Sequence, residues 1–152
     1  MTVFSRLELD YLATQKLGRL AVIGPDGAPF VTPVGFRYNP EADTIDIGGH
    51  GMLHSKKWRD VVAQPRVAFV VDDVLPPWQP RVVEIRGRAV RLTGPGTAFS
   101  PGYDEALIRI QPELIRSFGL VAGGPRGGSH ARRAGDDLTD QGSRDQRSTD
   151  QA

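Results

Sequence analysis

The sequence predicts a mainly β fold, a six-stranded antiparallel barrel with short peripheral helices. Six segments are apolar or alternate between apolar and polar residues, and turn residues separate them, as expected for strands. The helical segment among these strands is too isolated to build a parallel sheet with helical crossovers, which favours a closed antiparallel barrel. The 152 residues, 39% of them hydrophobic, are enough for one domain with a single core.

The first half of the chain predicts one helix and a three-stranded meander. Ser5-Arg6-Leu7-Glu8 has the spacing of a capping box, so a helix is expected from Ser5 to about Gln15. Turn-forming residues then separate three apolar segments that follow each other closely enough to pair as neighbours. The predicted strands are Arg19 to Ile23, Pro29 to Phe36 and Thr44 to Gly48.

The second half predicts another helix and three strands. The helix is expected from about Ser55 to Ala63, because Pro65 disfavours a helical residue before it. Val82 to Leu92 alternates along its whole length, and Gly87 at its middle indicates a bulge where the strand turns a barrel corner. The remaining strands are Arg66 to Asp72 and the segment from Leu107 to Phe118.

The composition changes after Val121, where apolar residues nearly disappear. Residues 122–152 are mainly Gly, Arg, Asp, Ser, Gln and Thr, and Leu138 is the only sizeable apolar side chain. Such a segment cannot offset its own conformational entropy by burying apolar surface. We therefore predict a barrel domain over residues 1–121 and a disordered tail over residues 122–152, whose arginines are solvated and whose removal leaves folding intact.

Charge and cysteine content narrow the function classes. The formal net charge of +1 gives no global field to collect nucleic acid or an anionic membrane, so neither is expected as a partner. The absence of cysteine excludes disulfides, thiolate catalysis and sulfur-ligated metals. The first residues lack the order of a signal peptide, and a cytoplasmic location is the expectation.

The densest polar cluster follows the third predicted strand. Gly49 and its neighbouring glycines allow a ligand close to the backbone, and the amides at a helix N-terminus favour an anion. Ser55 supplies a hydroxyl, while Lys56 and Lys57 supply positive charge. The cluster therefore predicts a phosphate site, with a solvated basic helix face as the alternative.

Other polar residues give weaker signals. His50 and His54 lie four apart, but the glycines between and before them disfavour a helix, so we expect loop hydrogen bonds and no metal. No catalytic triad or nucleophile elbow is present, and the catalytic residues stay unknown. Trp78, in a proline-flanked loop, is either an interface residue or a wall against which a ring stacks.

The order of these features resembles the pyridoxamine phosphate oxidase-like split β-barrel family, in particular its deazaflavin-dependent branch. The resemblance covers about Phe4 to Leu120, and its segments are specific together, although none is diagnostic alone. They are Leu17 to Ala21, Pro33 to Asn39, Gly48 to Gly51, Ser55 to Val61, Pro65 to Asp73 and Glu84 to Ala89.

The resemblance implies a homodimer with two cofactor sites at the subunit interface. It assigns the cofactor phosphate to Ser55, Lys56 and Lys57, and the edge of a flavin or deazaflavin ring to the backbone of Thr32, Pro33 and Val34. Trp78 and Arg81 fall where the partner subunit is expected to contribute. Arg37 matches a basic position of the FMN oxidases, but Thr32 replaces another, which favours coenzyme F420 over FMN.

The function that the resemblance implies is an F420-dependent reductase, which transfers a hydride between the deazaflavin and a small conjugated organic substrate. In such an enzyme the cofactor supplies the chemistry and the protein supplies position and electrostatics, consistent with the lack of a catalytic motif. Two alternatives remain open. One is an FMN-dependent oxidoreductase on the same barrel, and the other is a non-catalytic binder of a flavin, F420 or a tetrapyrrole.

Overall fold

The computed structural model describes residues 1–121 and 130–136. Two α-helices, one short 3-10 helix and seven strands make up this part of the chain. In chain order they are α1 (Arg6–Ala13), β1 (Leu17–Ile23), β2 (Pro29–Asn39), β3 (Thr44–Gly48), the 3-10 helix Met52–His54, α2 (Lys56–Ala63), β4 (Arg66–Leu75), β5 (Gln79–Thr93), β6 (Ala106–Phe118) and β7 (His130–Arg133).

The first six strands form a closed antiparallel barrel. Their order is β3-β2-β1-β4-β5-β6, and pairing of β3 with β6 closes the sheet on itself. Leu20, Phe69 and Ile85 share one register across β1, β4 and β5 and point into the core, where each is almost fully buried. The prediction of a six-stranded antiparallel barrel with two short helices is confirmed.

Both helices begin where the sequence predicts. The Ser5 hydroxyl accepts a hydrogen bond from the amide of Glu8, and the Glu8 carboxylate accepts one from the amide of Ser5, which completes the capping box. Helix α1 ends at Ala13, slightly before the predicted end. Helix α2 begins after Ser55 and ends at Ala63, before Pro65, as predicted. Among the described residues, no helix is long and apolar enough to cross a membrane.

The long strand β5 contains the predicted bulge. Its register against β6 shifts between Arg86 and Gly87. A Cβ atom at Gly87 would lie 2.0 Å from the carbonyl oxygen of Gln111, so the two backbones approach too closely there for any side chain. Gly87 therefore fixes the corner at which β5 and β6 turn around the barrel.

We expect Gly87→Ala to lower the free energy of unfolding by about 1–3 kcal/mol, the range for overpacking a tight site. The crowding atom belongs to the backbone of β6, which cannot move as a side chain can. Urea unfolding measures the change. Gly49→Ala is the control, because its Cβ would meet nothing within 4 Å. Equal stability of the two variants would contradict the role of Gly87.

The chain after Val121 differs from the expectation of a disordered tail. Within residues 122–152, His130–Arg133 pairs with β6 as the seventh strand, and Arg132 is only 6% exposed. The Arg132 guanidinium contacts the Glu8 carboxylate, a partner that composition alone cannot reveal. The prediction of disorder is thus wrong for residues 130–136, and the other residues of 122–152 lie outside the described part.

Candidate cofactor site

The predicted phosphate site, formed by Gly49, Ser55, Lys56 and Lys57 and called the phosphate corner below, lies between the end of β3 and the start of α2. The loop before β6 holds it in place. Asp104 accepts hydrogen bonds from the amides of Gly51 at 3.2 Å and Leu53 at 3.3 Å, while its own amide donates to the Gly49 carbonyl at 3.0 Å. These amide donors hold the pKa of the Asp104 carboxyl below its usual value. Two amides of the glycine loop are therefore already hydrogen-bonded to the Asp104 carboxylate of the same chain.

The donors left at this corner lie at the N-terminus of α2. Ser55 caps the helix, because its hydroxyl accepts from the Trp58 amide at 3.3 Å and donates to the Met52 carbonyl at 2.7 Å. The amides of Lys56 and Lys57 come next, in the first turn, where a helix offers no internal acceptor. These two N–H groups, rather than the Ser55 hydroxyl, are available to an anion.

The two predicted lysines have different surroundings. The Lys56 ammonium forms an ion pair with Asp60 and lies 4.3 Å from the centre of the Phe30 ring. Lys57 is half-buried, and within the described residues its ammonium has no carboxylate partner. Burial alone lowers the pKa of Lys57. A half-buried cation without an anion beside it fits a ligand that carries negative charge.

The corner also has room for a ligand. A Cβ at Gly49 or Gly51 would meet no atom within 4 Å, so the space above both residues is open. Gly51 has a φ of 69°, which favours glycine at this turn. Open space, two available amides and the Lys57 ammonium together fit the phosphate of a cofactor.

The predicted ring-binding segment of β2 lies at an open strand edge. Pairing of β2 with β3 begins at Gly35 opposite Gly48, so over Thr32, Pro33 and Val34 the strand pairs with β1 alone. Backbone groups on the other edge of this segment are left for a ligand. Val34 is buried in the barrel, half-buried Thr32 faces the same side, and Pro33 is exposed on the outer face. Because β3 ends at Gly48, both the unpaired edge of β2 and the phosphate corner lie just beyond its end.

Trp78 and Arg81 lie towards the end of β4 that is away from α2. Trp78 is in the turn after β4, which spans 10 residues, roughly 30 Å, and Arg81 pairs with Asp73 near that end of the strand. Trp78 is 67% exposed, whereas the Arg81 guanidinium pairs with Asp73, with 2.8 Å between Nε and Oδ1, and lies over the Tyr11 ring. No hydrogen bond or ion pair among the described residues joins these two residues to the other predicted ones, so their contribution from a partner subunit stays a prediction.

An aromatic cluster beside the corner was missed by the sequence reasoning. Tyr103 and Phe99, on the loop before β6, pack over Gly35 and Gly48, where a Cβ would lie 2.2 Å from the Tyr103 hydroxyl and 2.7 Å from the Phe99 ring. His50 donates from Nδ1 to the Gly102 carbonyl at 2.7 Å, which confirms its loop hydrogen bond. The sequence signal for this cluster was a glycine in each of two neighbouring strands, Gly35 in β2 and Gly48 in β3, which lie opposite each other.

Arg37 lies beside this cluster on the outer face. Its guanidinium stacks 4.7 Å from the centre of the Phe99 ring, and Nη2 lies 3.6 Å from the Asp46 carboxylate. In the described part of the chain, Arg37 Nε is the one buried side-chain polar atom without a hydrogen-bond partner. Neither His50 nor His54 belongs to a candidate metal site. Within residues 1–121 and 130–136, no three or more His, Asp and Glu side chains are grouped so that they could hold a metal ion.

The fold defines a class of protein, the small domains built on a closed six-stranded antiparallel barrel with two short helices. The chain belongs to the pyridoxamine 5'-phosphate oxidase family, whose sequence profile matches residues 8–116. That match covers the barrel from α1 to most of β6, including the whole phosphate corner.

Comparison with individual proteins agrees with this family. The chain is 41% identical over 131 residues to 5a,11a-dehydrotetracycline/5a,11a-dehydrooxytetracycline reductase from Streptomyces rimosus, covering 85% of this chain and 92% of that protein. An FAD-binding protein from Mesorhizobium loti has a similar structure, with 25% identity, a TM-score of 0.54 and coverage of 75% and 93%. A structure described as an F420 reductase has 23% identity, a TM-score of 0.51 and coverage of 66% and 88%. The reductase relative supports an oxidoreductase activity.

Proposed function

We propose that this protein is an F420-dependent reductase that transfers a hydride between the deazaflavin and a small conjugated organic substrate. The observation that carries the proposal is the half-buried Lys57 ammonium, which has no carboxylate partner in the described residues and belongs to the helical turn that offers two free amides after the open glycine loop. The reductase relative and the neighbour described as an F420 reductase support this choice.

Each part of the site has a defined task in this proposal. Lys57 and the first amides of α2 hold the cofactor phosphate, while the open edge of β2 at Pro33 positions the ring. The bound deazaflavin supplies the hydride. Asp104 keeps the glycine loop in shape and leaves the space above Gly49 open. The protein thus provides binding and orientation.

An FMN-dependent oxidoreductase is the second candidate. The FAD-binding neighbour and Arg37, with its buried Nε lacking a hydrogen-bond partner within the described ranges, favour it. Thr32 argues against it, because this uncharged side chain stands where the resemblance expects a second basic residue. Titration of the purified protein with F420 and with FMN, side by side, separates the two. Tighter binding of FMN would overturn the F420 proposal.

The proposed active unit is a homodimer. Trp78 at the exposed β4-β5 turn and the nearby Arg81 lie towards the end of β4 that is away from α2, and a second subunit can bring them to the corner. Sedimentation of the protein tests whether it is a dimer, and the variant Trp78→Ala tests whether Trp78 contributes to the cofactor site. We propose that the variant binds F420 more weakly, and an unchanged dissociation constant would remove Trp78 from the site.

We expect Lys57→Met to weaken F420 binding by about 1.5–3 kcal/mol, roughly 10- to 150-fold, because it removes a charged hydrogen-bond donor from the phosphate. Quenching of F420 fluorescence measures the dissociation constant. Lys56→Met is the matched control, and we expect a smaller change because the Lys56 ammonium already pairs with Asp60. Equal losses in the two variants would contradict the separate roles of these lysines.

Lys57 also sets a pH dependence of binding. Burial lowers its pKa, so the ammonium loses its proton at a lower pH than an exposed lysine does. Attraction for the phosphate is therefore complete below this lowered pKa and is lost as the pH rises through it. In Lys57→Met this alkaline loss of affinity should disappear.

A further inference from the structure

Tyr103 lies between the two parts of the proposed cofactor site. Its hydroxyl rests on Gly35, directly after the open segment of β2, and its ring covers Gly48, directly before the phosphate corner. Pro33 and Gly35 are two residues apart on one strand, so they present the same outer face. A ring that contacts Pro33 and a phosphate at Lys57 would place a ligand beside the Tyr103 side chain.

The loop that carries Tyr103 is fixed on both sides. Asp104 is hydrogen-bonded to Gly49, Gly51 and Leu53, and the Gly102 carbonyl accepts from His50. Phe99 and His50 pack edge-on against the Tyr103 ring, with ring centres 5.4 and 5.2 Å away. The position of this side chain is thus set by several independent contacts rather than by the backbone alone.

The Tyr103 hydroxyl differs from those of the other two tyrosines. Tyr11 donates to Asp73 at 3.1 Å, and Tyr38 donates to Asp43 at 2.6 Å. Within the described ranges the Tyr103 hydroxyl has no hydrogen-bond partner, and it is not among the buried unpartnered atoms, so it reaches the surface. A phenol that is rigidly held and has an unused donor at a predicted ligand face is suited to bind that ligand.

We propose that the Tyr103 hydroxyl donates a hydrogen bond to the carbonyl oxygen of a conjugated carbonyl substrate. This inference rests on the proposed hydride transfer. With reduced deazaflavin bound, hydride transfer would break a C–H bond of the cofactor and form one at the β-carbon of the conjugated system, and an electron pair would move through that system onto the carbonyl oxygen. The deazaflavin loses two electrons, the substrate gains them, and solvent supplies the proton. Tyr103 stabilises the negative charge that develops on the oxygen.

The first test compares Tyr103→Phe with the parent protein. Cinnamaldehyde, a conjugated aldehyde, serves as the probe. We expect kcat for its reduction by reduced F420 to fall by about 100-fold, the effect of losing one donor to a developing oxyanion. The dissociation constant for F420 and the melting temperature should stay unchanged, because the ring and its packing remain. Tyr38→Phe is the control, since it removes a hydroxyl bonded to Asp43 and should leave kcat unaltered.

A second measurement does not depend on turnover. With oxidised F420 bound, cinnamaldehyde cannot be reduced, and a hydrogen bond to its carbonyl shifts its absorption band to longer wavelength. We expect this shift in the parent protein and its loss in Tyr103→Phe. Gly35→Ala should behave in the same way with Tyr103 present, because the new Cβ would displace the hydroxyl that now lies 2.2 Å from that position.

The outcomes separate this inference from the proposed function. A parent protein that binds F420 and reduces cinnamaldehyde, with Tyr103→Phe equal to it in kcat and band shift, overturns the role of Tyr103 alone. F420 binding without reduction of the aldehyde overturns the substrate class and leaves the cofactor assignment standing. Failure to bind F420 overturns both.

Discussion

Arg132→Met is expected to lower the free energy of unfolding by about 3–5 kcal/mol, the range for breaking a buried ion pair by removing one partner. Arg132 Nη1 donates to Glu8 Oε1 at 2.8 Å, and Nε and Nη2 donate to the Val3 carbonyl at 3.2 and 2.6 Å. Ser117 also donates to Glu8 at 2.8 Å. Without Arg132, the 1% exposed Glu8 carboxylate loses its only cationic partner among the described residues.

Urea unfolding at neutral pH measures this loss, and two further variants interpret it. Glu8→Gln with Arg132→Met should recover part of the stability, because no buried charge is left and Gln still completes the capping box. Asp10→Asn is the control, since the Arg6–Asp10 pair is 87% and 60% exposed and contributes little. A loss below about 1 kcal/mol in Arg132→Met would show that β7 does not stabilise the barrel.

The same pair predicts a dependence of stability on pH. Burial raises the pKa of Glu8, but hydrogen bonds from Arg132, Ser5 and Ser117 outweigh it, so the net pKa lies below the ordinary value. The contribution is complete above the pKa of an unfolded glutamate, about 4.3, and is lost as the pH falls through the lowered pKa of the folded state. The variant with Glu8→Gln and Arg132→Met should lose this part of the acid sensitivity.

The sequence predicts those features of the fold that depend on neighbouring residues. Ser5 and Glu8 satisfy each other within one helical turn, Pro65 ends α2, and Gly87 marks the bulge in β5. Arg132 and Glu8, by contrast, lie 124 residues apart, and only the folded barrel places them together. A composition rule treats Arg132 as one more solvated arginine, and for that reason it misses β7.

The candidate site shows the same limit. The residue types at the corner can be read from the sequence. The two lysines differ because Lys56 has a carboxylate partner, whereas Lys57 has none among the described residues. Asp60, four residues after Lys56, is a local clue to the first pair. The half-burial of Lys57 and the packing of Tyr103 on Gly35 require strands and loops that are distant in the chain.

Asp46→Asn is expected to cause a second large loss, also about 3–5 kcal/mol, because Asp46 joins two arginines beneath the aromatic cluster. Its fully buried carboxylate accepts two hydrogen bonds from Arg109, at 2.8 and 3.0 Å, and one from Asn39 at 3.1 Å. Arg37 lies 3.6 Å away and stacks on Phe99. An amide at position 46 leaves both guanidinium groups without a carboxylate and turns an N–H group towards one of them.

The loss in Asp46→Asn should appear in urea unfolding at neutral pH, whereas Asp72→Asn should change stability little, because the Arg19–Asp72 pair is exposed. Burial raises the pKa of Asp46, but hydrogen bonds from Arg109 and Asn39 and the charges of both arginines lower it overall. The contribution of Asp46 to stability is therefore present at neutral pH and is lost as the pH falls through that lowered pKa.

Because Arg37 supports Phe99, and Phe99 packs against Tyr103, Asp46→Asn should also reduce the cinnamaldehyde band shift in the folded protein. A stable variant with an unchanged shift would show that the Tyr103 loop is held by Asp104 and His50 alone.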